Sequence, residues 1–168
     1  MSIVSEELEA IRDVWRNTIE GDGGKCPCCR RWGKIYARNI NETMCRSLIW
    51  LAYTRANARG WVDVPETAPR WLVRSNQLAT LRWWGLVERL PSNDPDAKHS
   101  GLWRVTQLGR DFVAGRVTVP KTAYTYNGEV EYMSAEQTTV ADCFGKKFSY
   151  HEVMAAHAPV GVASGLHP

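Results

Sequence analysis

Residues 67–115, TAPRWLVRSNQLATLRWWGLVERLPSNDPDAKHSGLWRVTQLGRDFVAG, decide how this chain is read. Their spacing predicts a helix, a turn, a second helix, two strands joined by a polar loop, and a closing helix. Ser75 is expected to cap the second helix by accepting a backbone N–H, and Gly85 falls where that helix should stop. Leu78 and Leu81 recur on its inner face. At about 100° per residue the opposite face carries Asn76, Ala79, Thr80 and Trp83, with Gln77 and Arg82 on the flanks. After Gly85, Leu86 to Leu90 alternates as a strand and Leu102 to Val105 can pair back with it. The intervening PSNDPDAKHSG is rich in turn formers and reads as a loop. Thr106 is placed to cap a last helix that turns Leu108, Phe112 and Val113 inward and stops at Gly115.

That order of elements is a winged helix-turn-helix. GLVERL at 85–90, a polar loop, and LWRVTQLGRDFV at 102–113 together resemble the wing of winged-helix regulators of the MarR and PadR type. In those families the closing helix begins with a threonine-x-x-glycine, matched here by Thr106 and Gly109. Counting Met44 to Arg59 as the first helix, the resemblance runs from Met44 to Gly115. It implies an α+β fold with a winged helix-turn-helix core and double-stranded DNA as the ligand. Amide, hydroxyl, guanidinium and indole groups suit base edges, which assigns Asn76, Gln77, Thr80, Arg82 and Trp83 to the major groove. Arg70, Arg74, Lys98 and Arg104 are expected to hold phosphates.

The charge is unevenly spread. The 168 residues carry a net charge of only +3, but residues 1–24 hold two basic and six acidic side chains while 25–61 hold eight basic and one acidic. Positive charge concentrated next to the helix-turn-helix is the pattern expected when one face meets a polyanion, although a solvated cationic surface would read the same way. A hydrophobic fraction of 44% and a charged fraction of 23% describe an ordinary water-soluble chain with room for one sizeable core. No apolar run is long enough for a membrane span, and the acidic start MSIVSEELEA does not read as a signal peptide. A cytoplasmic location with reduced cysteines is expected, and the odd count of five fits it.

Four segments follow along the chain: residues 1–40 with a helix and a CPCC knuckle, 41–116 as the winged helix, 117–157 with a β-hairpin and a short helix, and 158–168 as a flexible tail. Residues 5–20 predict an amphipathic helix with Ser5 as cap and Leu8, Ile11, Trp15 and Ile19 on one stripe. In KCPCCRRWGKIYARN, Cys26 and Cys29 have the spacing of a zinc knuckle and resemble the first half of a zinc ribbon. A tetrahedral Zn²⁺ site would need further ligands from Cys28, Cys45, Cys143, His99, His151 or His157; the alternative is a tight turn with small buried cysteines. Trp32 and Tyr36, interleaved with Lys25, Arg30, Arg31, Lys34 and Arg38, read as the inward side of a strand pair, the alternative being stacking support for phosphate binding as in single-strand binders. Asn41 is expected to cap the helix carrying Met44, Leu48 and Leu51, and Asn57 to Gly60 to end it; Trp61, Val62 and Val64 would add a third strand to the wing. Asn127-Gly128 between alternating runs is a hairpin signal, and Ser149 with Glu152 has capping-box spacing.

Of the eight tryptophans, Trp50, Trp61, Trp71, Trp84 and Trp103 fall on apolar stripes and are expected in the core, while Trp83 points outward. The four histidines lie late in the chain, none beside a plausible nucleophile, and no nucleophile elbow, phosphate-binding glycine loop or H-E-x-x-H occurs. A non-enzymatic role follows. The overall pattern is also similar to that of small bacteriophage-encoded proteins. Two functions are therefore carried forward: a sequence-specific DNA-binding transcriptional regulator, as a homodimer if its site is palindromic, and a phage-encoded module that binds and sequesters a host protein such as a polymerase or defence component.

Overall fold

The computed structural model describes residues 3–97, 100–145 and 149–155. Lys98, His99, His157 and the 158–168 tail lie outside them. In chain order the elements are α1 (Ile3–Glu20), β1 (Gly24–Lys25), β2 (Trp32–Gly33), β3 (Tyr36–Asn39), α2 (Glu42–Tyr53), β4 (Val62–Asp63), α3 (Val64–Thr67) and α4 (Arg70–Ser75). A 3₁₀ helix (Leu78–Trp84) follows, then β5 (Val87–Arg89), β6 (Leu102–Val105), α5 (Gln107–Val113), β7 (Val119–Pro120), β8 (Thr122–Tyr126), β9 (Glu129–Met133), β10 (Gln137–Thr138), α6 (Val140–Phe144) and α7 (Tyr150–Ala155). The chain is a mixed α+β protein. No helix among the described residues is long and apolar enough to cross a membrane.

Contacts divide the chain into two units, and the division is not sequential. The first unit combines residues 1–39 with 122–134; the second combines 40–121 with 135–168. The segments expected from the sequence, 1–40, 41–116 and 117–157, are therefore cut across. The hairpin of β8 and β9 joins the N-terminal residues because β3 pairs with β8 from Tyr36↔Thr125 to Asn39↔Thr122. Backbone pairing between positions so far apart leaves no mark in either local pattern.

In the first unit α1 already includes Ile3 and Val4, so Ser5 lies inside the helix and does not cap it. Only the C-terminal end of its stripe is covered. Ile19 is buried and Trp15 half-buried, while Leu8 and Ile11 remain exposed. The docking point is Gly33, where an added Cβ would lie 2.6 Å from the Trp15 ring. Trp32 and Tyr36 are exposed, contrary to the inward placement expected. Trp32 belongs to a hairpin of only two residues a side, where it lies across Gly23, and Tyr36 begins β3, where Arg38 sits over its ring. The β8–β9 turn is Asn127-Gly128 with both φ positive, at 51° and 84°. Tyr124 and Tyr132 stack across the pair with centroids 4.5 Å apart.

The second unit is built on α2. Asn41 accepts the Met44 N–H at 3.0 Å, and the helix ends at Tyr53, where the Thr54 N–H bonds the Trp50 carbonyl, earlier than the Asn57–Gly60 stop expected. Asn57 instead folds the next turn through its side chain, which accepts from Arg59 and Trp61 N–H. Leu48, Ile49, Leu81, Leu86 and Phe112 are fully buried, each contributing roughly 1.5–3 kcal/mol of burial free energy. Strands run in the order β4-β6-β5, all antiparallel, with Val62↔Trp103 and Val87↔Val105 as register pairs. Trp61, Trp84 and Trp103 are buried as expected and Trp50 is half-buried, but Trp71 is 40% exposed, because neighbouring positions on a helix point about 100° apart and Leu72 takes the inward one. Trp84 is anchored by its indole N–H, which donates to the Pro120 carbonyl at 2.6 Å.

Candidate nucleic-acid interface

The proposed reading head consists of α4, a turn, and the 3₁₀ helix. Pro69 precedes α4 with φ −67°, an angle its ring imposes and a helix start accepts. The helix closes after Ser75, and this corrects the sequence reading. The Ser75 hydroxyl donates backwards to the Leu72 carbonyl at 2.9 Å, so it finishes the first helix and does not start the second. Asn76 then takes the left-handed conformation (φ 51°, ψ 30°), which asparagine tolerates better than most residues.

The second helix is 3₁₀ rather than α. With three residues per turn, positions three apart eclipse one another, and Leu78, Leu81 and Trp84 form one buried row. Ala79 and Arg82 make a second row, Thr80 and Trp83 a third. The expected outward face is thereby rearranged. Asn76 leaves it for the turn, where its side chain is exposed; Arg82 is exposed; Gln77, Thr80 and Trp83 are half-buried. The Thr80 hydroxyl donates to the Gln77 carbonyl at 2.6 Å, and the Trp83 ring lies 6.5 Å from that of Trp84. Gly85 ends the helix at φ 68°.

Of the expected phosphate contacts, Arg70 and Arg74 are exposed and lie four residues apart on one face of α4. Arg70, Arg74 and Arg82 form no ion pair among the described residues, and between Glu66 and Glu88 the chain has no acidic residue at all. Arg104 differs. Its guanidinium is 2.5 Å from Glu88 and lies over the Trp61 ring at 4.3 Å, so its charge is already matched and it is a poor phosphate ligand. Beside the reading head runs an open groove of about 340 Å³, lined by Leu72, Val73, Asn76, Ala79, Arg89 and Trp103 among others. Most of that lining is apolar, and Val73 and Trp71 on α4 are both exposed.

The cysteines fall into two sets. Cys26, Cys28 and Cys29 occupy the β1–β2 loop of the first unit; Cys45 and Cys143 belong to the second. Cys26 is held below the ordinary thiol range, chiefly by the backbone N–H of Cys29 and then that of Cys28, both directed at its sulfur. Cys45 is fully buried on α2 and its thiol hydrogen-bonds Cys143 on α6, which together with burial pushes Cys45 up and holds Cys143 down. His151 is exposed on α7. Among the described residues no three His, Cys, Asp or Glu side chains gather as a metal site.

Sequence reasoning missed two features. The α6 helix carries a capping box in which Thr139 accepts the Asp142 N–H and Asp142 accepts the Thr139 N–H, a signal visible in TTVAD. The Cys45–Cys143 contact joins helices far apart in sequence and had no local signal. Comparison with protein-family models, curated proteins and solved structures gives no match to this chain.

Proposed function

We propose that residues 41–116 form a winged helix that binds double-stranded DNA in a sequence-dependent way and serves as a transcriptional regulator. The supporting architecture is the α2–β4–α3–α4–3₁₀–β5–β6–α5 order with strands arranged β4-β6-β5. The observation that carries the reading is the acid-free stretch between Glu66 and Glu88, which presents Arg70, Arg74 and Arg82 from two consecutive helices. In this reading Arg70 and Arg74 hold the backbone, while Asn76 and Arg82, at the turn and on the exposed row, reach base edges. No catalytic group is involved. Fluorescence anisotropy of labelled duplex across a salt series tests it: binding that weakens steeply with salt is expected, and binding indifferent to salt would reject it.

A second reading is favoured by the groove beside α4. Its apolar lining, with Trp71 and Val73 exposed on the adjoining helix, suits the anchor residues of a protein ligand. A protein-sequestering module would lose its partner on Trp71→Ala and respond little to salt.

A further inference from the structure

The first unit carries a charged surface that duplex binding by the second does not use. Between Asp22 and Glu42 the chain has five basic residues and no acidic one. Lys25, Arg30, Arg31 and Arg38 are exposed, and Lys34 is half-buried. None of the five forms an ion pair among the described residues, which include every aspartate and glutamate of the chain. Their charge is open to an external anion.

Two aromatic rings stand among these cations, and the packing of Gly33 sets the side that Trp32 takes. Gly33 faces α1, where an added Cβ would lie 2.6 Å from the Trp15 ring and 3.1 Å from Ile19. The Ile35 N–H holds the same backbone down by donating to the Ile19 carbonyl at 2.7 Å. Along an extended chain the neighbours of Gly33 point the other way. An added Cβ at Gly23 would meet the Trp32 ring at 2.8 Å and the Lys34 Cβ at 2.9 Å, so both side chains lie over that glycine. Trp32 is held there with 60% of its surface exposed. Two residues beyond Lys34, Tyr36 is 44% exposed, and the Arg38 guanidinium sits over its ring at 5.5 Å. Tyr132 is not part of this surface. It pairs with Tyr124, whereas Tyr36 pairs with the adjacent Thr125, which sets the two rings on opposite faces of the sheet.

A duplex presents phosphates but keeps its base faces stacked on one another, while a single strand offers both. Fixed rings interleaved with unmatched cations fit the second kind of ligand, because every unpaired base has a face to stack and every link a phosphate. We propose that this surface binds single-stranded nucleic acid, with Trp32 and Tyr36 stacking on bases and Arg30, Arg31 and Arg38 holding phosphates. It uses none of the residues assigned to duplex.

The test uses the full chain and a labelled oligothymidylate of about 15 nucleotides, near the upper site size of one single-strand module, read by fluorescence anisotropy across a salt series. Saturable binding that weakens as salt rises is expected. Tyr36→Ala should weaken it by about fivefold or more, the loss of one base stack, and Tyr36→Phe, which keeps the ring, should not. Arg31→Gln should flatten the plot of log affinity against log salt by about 0.7. Trp32 also packs on Gly23, so its removal risks the hairpin. It is read through Trp32→Phe, which keeps a ring there: the fall in intrinsic fluorescence on adding oligonucleotide should be smaller than in the unaltered chain. Arg70→Ala combined with Arg74→Ala should leave oligothymidylate binding intact, whatever becomes of duplex binding. The absence of binding, its loss in that double variant, equal affinities for Tyr36→Ala and Tyr36→Phe, or an unchanged slope in Arg31→Gln would each overturn the proposal. So would displacement by inorganic polyphosphate as readily as by unlabelled oligothymidylate of matched charge, since the surface would then be reading charge alone.

Discussion

Gly109 lies against the carbonyl of Leu86: a Cβ at that glycine would stand 2.2 Å from the Leu86 oxygen and 2.6 Å from a Val105 methyl. The oxygen cannot move aside, because it accepts the Thr106 N–H at 3.1 Å. Thr106 in turn accepts the Gly109 N–H at 3.0 Å and donates its hydroxyl to the Gly85 carbonyl. A threonine and a glycine three residues apart thus fasten the start of α5 to the entrance of β5. This is a physical reason for the threonine-x-x-glycine pattern, independent of any resemblance.

Gly109→Ala should accordingly destabilise the chain, although glycine-to-alanine within a helix ordinarily gains about 1 kcal/mol. Overpacking against fixed backbone costs roughly 1–3 kcal/mol and should prevail. Chemical denaturation would show a lower midpoint with an unchanged slope. A midpoint equal to or above that of the unaltered chain would mean that α5 can back away from β5.

Where the sequence pattern and the packing share a period, the fold was legible. Thr106, Gly85, the Asn127-Gly128 turn and the pairing of Val87–Arg89 with β6 are all local signals, and the structure shows each in place. The reading head was misjudged because Leu78, Leu81 and Trp84 recur every three residues, which an α-helical projection smears and a 3₁₀ helix stacks into one row. Ser75 misled for a related reason: a serine hydroxyl can donate backwards to finish a helix as readily as it can accept forwards to begin one. The attachment of β8 to β3 and the contact of Cys45 with Cys143 depend on long-range pairing that no window of sequence contains.

Acid should weaken the link between α5 and the segment after it. Asp111 is held below the ordinary carboxylate range, first by the Arg116 guanidinium 2.6 Å away and also by the Gln107 amide at 3.1 Å. A lowered native value means that the unfolded chain binds the proton more readily. The contribution is thus fully present above the unfolded carboxyl's range and is lost as pH falls through the native value. The unaltered chain should be slightly more stable than Asp111→Asn at neutral pH, and their denaturation midpoints should converge in acid. A constant gap down to low pH would assign the difference to something other than this charge.

Thiol reactivity should divide the cysteines by environment. Cys143 is half-buried and held down by the hydrogen bond from Cys45, so it is more readily ionised and more accessible than its partner. Cys45 is fully buried and pushed up, so alkylation must await opening of the α2–α6 contact. With the chain under native conditions and any metal removed, mass spectrometry should find the Cys26–Cys29 loop and Cys143 modified well before Cys45. Modification of Cys45 at the rate of Cys143 would show that α6 detaches freely.

The DNA reading makes separable demands on Arg82 and Asn76. If Arg70 and Arg74 each neutralise one phosphate, log affinity should fall against log salt with a slope of roughly −1.8, at about 0.9 per phosphate. Arg82→Ala should leave that slope and relax sequence preference, whereas a slope flattened by about 1 would place the side chain on a phosphate. Asn76→Gly is the cleaner probe of base reading, since glycine accepts the left-handed turn at φ 51° and the α4–3₁₀ geometry should survive. It should keep the salt slope while narrowing the gap between preferred and random duplex, by roughly 1–3 kcal/mol for a bidentate amide contact. Should both variants bind duplex as the unaltered chain does, at every salt concentration, the two helices would not be the contact surface, and the groove beside Trp71 would become the place to look.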